Sequence, residues 1–68
     1  MKERYSFMVR VTYENGSESE KTFDTVEEAR EYVDDLDDNG IVPMAGWELF
    51  LIDWYWRNDV RIDSQWFD

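Results

Sequence analysis

A single run of this chain repeats its apolar residues with the period of a helix, and the segments on either side of it alternate. Val26, Ala29, Tyr32, Val33 and Leu36 fall on one side of a helix that turns about 100° per residue. Asp24-Thr25 followed by Glu28 forms a Thr-x-x-Glu capping box just ahead of that stripe. Asn39-Gly40 closes it, because glycine takes the left-handed conformation that ends helices. The helix is therefore predicted over about Val26 to Asp38. One helix is all this chain has to cover the sheet its strands build.

Tyr5, Phe7, Val9, Val11 and Tyr13 alternate with Ser6, Met8, Arg10 and Thr12, which is a strand with one buried face. Asn15-Gly16 marks a hairpin turn. A two-residue loop would set Arg10 opposite Lys21 and bury Glu20. A three-residue loop, with Gly16 left-handed, pairs Phe7 with Phe23 and Arg10 with Glu20, and cross-strand charge and aromatic pairing favour it. Residues 17–23 form a returning strand polar enough to be an edge. After the helix, Ile41 to Gly46 crosses as a loop containing Pro43.

From Trp47 to Trp56 both alternating sets are apolar, interrupted only by Glu48 and Asp53, as in a strand covered on both faces. A turn at Arg57-Asn58-Asp59 and a last strand, about Val60 to Trp66, complete the chain. The expectation is an α+β fold in one small acidic domain, residues 1–68. Its order is β-β-α-β-β, a four-stranded antiparallel sheet with one helix packed on one face. Phe7, Val9, Val11, Val26, Ala29, Val33, Leu36, Leu51 and Ile62 are its expected core. The helix cannot also cover the second face. Either the sheet curls and covers itself, or the aromatics between Trp47 and Phe67 meet another molecule.

The side of the helix opposite the apolar stripe is equally constrained. Glu27, Glu28, Glu31, Asp34, Asp35 and Asp38 fall within one arc of roughly 120°. Six acids over that length give about one charge per 2.7 Å of helix axis. Each strand of duplex DNA carries one per roughly 3.4 Å. Local stability does not ask for this row. Aspartate is a poor helix former, and acids in the last turn oppose the helix dipole at about 0.3–1 kcal/mol each. The whole chain has 17 acids against 7 bases, a net charge of −10. Such a molecule is repelled by nucleic acid and anionic membranes and attracted to basic surfaces. Solubility or adaptation to salt is the alternative source of the charge.

The chain has no cysteine and no histidine, which removes disulfides, thiolate metal sites and the commonest general base. Glu48 and Asp53 would be the carboxylate pair of a glycosidase-like site, but so small a domain has little volume for a pocket of about 300 Å³ or more. No glycine-rich phosphate loop or nucleophile elbow is present. Asp35-x-Asp37-x-Asn39-Gly40-x-Val42 matches the start of an EF-hand loop, but Gly46 stands where the bidentate glutamate belongs, leaving too few oxygens for tight calcium binding. Arg57 and Arg61 lie near Trp54 and Trp56 in sequence, as indole stacking requires, yet they form no basic strip for single-stranded nucleic acid. No apolar run reaches the roughly 18 residues of a membrane span, and the N-terminus lacks a signal-peptide pattern. The reading is a non-enzymatic, cytoplasmic protein with no cofactor, no bound metal, no membrane and no direct nucleic-acid partner.

Size, charge and the carboxylate-lined helix from Glu27 to Asp38 together resemble the small acidic inhibitors made by phages and mobile elements. Among these are DNA mimics, with anti-CRISPR proteins the first choice. The resemblance implies an interaction protein, in the host cytoplasm, that occupies a basic DNA-binding groove of a CRISPR effector or similar complex. The acids Glu27, Glu28, Glu31, Asp34, Asp35 and Asp38 would take the place of phosphates there. Surface ion pairs are individually weak, so Trp54 and Trp56, or Trp47, would supply apolar anchoring. The competing reading is a structural or regulatory homodimer packed through the Trp-rich C-terminal strands, with the acids as a solvated outer surface. Either a monomer or a homodimer is compatible with the sequence.

Overall fold

A computed structural model of the chain describes residues 4–38 and 44–67, with the side chains of 37 and 38 outside the described set. Two strands, β1 (Tyr5–Tyr13) and β2 (Glu18–Phe23), precede one helix, α1 (Val26–Asp38), and two more strands follow it, β3 (Met44–Asp53) and β4 (Asn58–Trp66). They form one antiparallel sheet in the order β2-β1-β3-β4, so β2 and β4 are the edges. The fold is β-β-α-β-β, with α1 lying over β1, β2 and β3.

Local chemistry accounts for the first half. The β1–β2 register pairs Phe7 with Phe23 and Arg10 with Glu20. The loop has three residues, with Gly16 at φ +90°, a conformation that favours glycine. Asn15 Oδ1 accepts hydrogen bonds from the Ser17 amide at 2.9 Å and the Ser17 hydroxyl at 2.7 Å, which fixes that turn. At the helix start the Thr25 hydroxyl oxygen accepts from the Glu28 amide at 3.2 Å, and the hydroxyl donates to Glu28 Oε1 at 3.0 Å. The cap therefore holds, with the glutamate bonded to the threonine side chain.

Pairing carries Phe7, Val9 and Val11 on the face that also bears Leu51, Leu49 and Trp47 of β3. Val9, Val11, Ala29, Val33, Trp47 and Leu49 form the buried cluster beneath α1, with Phe7, Val26 and Leu36 half-buried around it. Ile62, expected in the core, is 44% exposed. The helix stops short of β4, and the β3–β4 register slips between Leu49 and Phe50, which sets Ile62 out as the extra residue of a bulge.

The second half is shifted relative to the sequence reading. Strand β3 begins at Met44 and ends at Asp53, and residues 54–57 form the turn. The strand predicted over Trp47–Trp56 thus starts three residues earlier and loses its last three aromatics. The cause is Asp53, whose Oδ1 accepts from the Tyr55 amide at 3.0 Å and the Trp56 amide at 3.3 Å. An aspartate bonding its own backbone two residues on builds a turn without glycine or proline. Arg57 closes the loop at φ 54°, in the left-handed region. Gly46 answers a close approach instead: a Cβ there would meet Trp66's ring and lie 2.7 Å from the Gln65 carbonyl oxygen.

Candidate interaction surface

On α1 the helix period sorts side chains as predicted. Ala29 and Val33 are buried against the sheet, and Glu27, Glu28, Glu31, Asp34 and Asp35 are exposed on the opposite side. Asp38, the sixth acid of the row, has a side chain outside the described residues, as do most positions of the EF-hand-like stretch 35–42. The five described acids span about 12 Å of helix axis.

Basic residues flank the helix rather than neutralising its outer face. On the β4 side, Arg30 Nη1 lies 2.9 Å from Asp63 Oδ2, joining helix to edge strand. On the β2 side, the Lys21 ammonium sits 5.3 Å from the Tyr32 ring centre and 5.7 Å from that of Phe23, whose rings are 5.2 Å apart. A lysine stem lying along apolar surface with its charge over aromatic faces seals this seam. Glu27, Glu31 and Asp34 enter none of the ion pairs found among the described residues.

The face of the sheet opposite α1 carries a charge ladder that sequence reasoning did not find. Glu20 lies 2.9 Å from Arg10, Arg10 lies 3.8 Å from Glu48, and Glu48 lies 3.1 Å from Arg61. It alternates in sign across all four strands, and the Arg10 guanidinium stands 5.1 Å from the Phe50 ring centre. Only the Arg10–Glu20 step was legible, because the Arg10–Glu48 pairing needs the β1–β3 register. The Glu20 hydrogen bond, and then the charges of Glu20, Glu48 and Glu18, raise the pKa of Arg10 against its desolvation.

Trp54 belongs to this second face: its indole N–H donates to the Ser6 hydroxyl at 2.7 Å, and Ser6 is buried there. Trp56 is 69% exposed in the turn and meets Tyr55 edge-on, with ring centres 5.1 Å apart. Trp47 is buried under the helix and is not available as an anchor. The structure therefore gathers the described helix acids and separates them from Trp54, which lies across the sheet. Arg4 braces the same turn through two hydrogen bonds to Asp53, at 3.1 and 3.0 Å. The Asp53 carboxyl is held below the usual carboxylate range, first by the Arg4 hydrogen bonds and then by the Trp56 and Tyr55 amides, against its desolvation. Asp63 is lowered likewise, chiefly by Arg30 and then by the Ser64 amide. Both move in the direction of ion-paired acids rather than that of a general acid.

Two clefts adjoin these features. One of about 200 Å³ runs beside the helix, lined by Arg30, Val33, Asp34, Trp47 and Leu49. Ile52, Trp54, Arg57 and Asp59 line another, of about 410 Å³ and widely open, at the β3–β4 turn. Among the described residues no three His, Cys, Asp or Glu side chains cluster as a metal site, and no helix is long and apolar enough to cross a membrane. No family model, curated protein or solved structure matches this chain.

Proposed function

We propose that this protein is an acidic DNA mimic that binds a basic nucleic-acid-binding groove and blocks DNA from entering it. The observation that carries the reading is the exposed row Glu27, Glu28, Glu31, Asp34 and Asp35, set on the side of α1 that faces away from the core. A rigid helix holds these carboxylates at successive turns about 5–6 Å apart, so lysines and arginines that grip phosphates meet charge at comparable spacing. The charged side chains need no rearrangement of the fold to reach a partner. CRISPR effector complexes are the first targets to assay, because the likeness to small phage inhibitors implies them, and such a target lies in the host cytoplasm.

The test is competition between the protein and DNA for an effector, with charge reversal at Glu31, Asp34 and Asp35 to Lys. The variant should lose inhibition while its circular dichroism stays native, and wild-type binding should weaken steeply with salt. A folded variant that inhibits as well as wild type would sink the reading. Binding of the wild type to DNA itself would sink it too, because a chain of charge −10 should be repelled.

A further inference from the structure

Apart from Tyr5, every exposed large apolar side chain among the described residues lies between Trp54 and Phe67. That segment holds two bases, Arg57 and Arg61, and two acids, Asp59 and Asp63, and so carries no net charge, whereas the whole chain carries −10. Among the described residues its strand, β4, has no neighbour on its outer side. An uncovered edge with apolar side chains is a template for another strand, and here the charge pattern along it is self-complementary.

We propose that two copies of this chain pair antiparallel through their β4 edges, with Val60 facing Val60 at the two-fold axis. In that register Asp59 of each copy stands opposite Arg61 of the other. Both side chains lie on the sheet face opposite the helix, since Asp59 pairs with Ile52 and Arg61 with Phe50 in β3. The same register brings the aromatic turn of each copy alongside Trp66 of the other. The bulge at Ile62 keeps the new ladder short, so the flanking aromatics supply most of the buried surface. An aromatic side chain buries about 150–250 Å². Five of them, roughly half exposed, together with Val60 and Ile62, come near the about 800 Å² per partner of a stable interface. Edge β2, with Glu18 and Glu20 and its one aromatic, Phe23, packed against the core, offers no comparable surface.

The two-fold of an antiparallel strand pair stands normal to the sheet, so both helices lie on one side of the eight-stranded sheet. With strands about 4.8 Å apart and α1 centred near β1, the helices run antiparallel about 24 Å apart. Two opposed rows of carboxylates would then face the same way, as the two backbones of a duplex do. This consequence rests on the DNA-mimic reading, whereas the pairing itself does not.

Sedimentation equilibrium over a concentration series tests the pairing. Wild type should approach twice the chain mass, more readily as salt screens the repulsion between copies, opposite in sign to its binding of a basic partner. Val60→Glu and Val60→Lys each place like charges at the axis and should weaken the dimer about tenfold or more. Their equimolar mixture should recover it, because Glu then faces Lys. Circular dichroism checks that both variants fold, as the exposure of Val60 allows. The helix charge-reversal variant should still dimerise, which separates a failure of mimicry from a failure of pairing. A wild type that stays at chain mass throughout, or a folded Val60→Glu variant that pairs as tightly as wild type, overturns the proposal.

Discussion

Asp53 does three jobs with one carboxylate: it ends β3, accepts two turn amides, and holds Arg4. Replacing it by Asn keeps an oxygen for the amides and removes the charge that Arg4 meets, so the variant isolates the ion pair. Asp53's folded pKa is depressed, chiefly by Arg4. Its contribution is therefore complete above the unfolded value of about 3.9 and is lost as pH falls through the folded value. Urea unfolding should show wild type more stable than Asp53→Asn by a constant margin from about pH 7 to about pH 5, shrinking below about pH 4. A margin unchanged down to about pH 2 would mean that the pair does not form.

Each element can be weighed by what it buries. Leu49 is 1% exposed at the centre of the sheet, whereas Leu36 near the end of the helix is only half-buried. Leu49→Ala should cost about 2–5 kcal/mol, and Leu36→Ala clearly less, in the same denaturation experiment. Equal losses would place the core closer to the helix end than the packing does. The helix, its cap and the first hairpin were legible because their signals are local: a 3.6-residue stripe, Thr25 three residues before Glu28, and Gly16 where φ turns positive. The β3–β4 hairpin was not. Its turn is made by Trp54, Tyr55, Trp56 and Arg57, the first three of them residue types that favour strands, and the turn-forming atom belongs to the aspartate before them. The exposed acid row was readable from helical period alone. Its separation from Trp54 was not, because Trp54 lies in the turn, beyond the reach of strand alternation, and is placed by its hydrogen bond to Ser6.

Charge is unevenly distributed over the whole molecule: acids line α1 and the outer strand β2, while residues 54–67 are neutral. Two opposed salt effects follow. Screening weakens the ion pairs of Arg4, Arg10, Arg30 and Arg61, whose side chains are 36–57% exposed; exposed pairs of this kind contribute little to stability. It also relieves repulsion among acids that sit within one or two helical turns of each other, well inside the roughly 30 Å Debye length of 0.01 M salt. With 17 acids against 7 bases and a net charge of −10, like-charged pairs outnumber unlike ones, and repulsion should dominate. The melting temperature should therefore rise as sodium chloride goes from about 0.01 M to about 0.15 M, where the Debye length falls to about 8 Å. Neutralising Glu31 to Gln and Asp34 to Asn should raise the low-salt melting temperature and flatten this dependence, since both acids belong to the exposed row and like charges at neighbouring turns destabilise a helix. A wild type that melts lower as salt is added would show that the cross-strand ladder and the Arg4 and Arg30 pairs outweigh the helix, and that its acids are held at no cost to the fold.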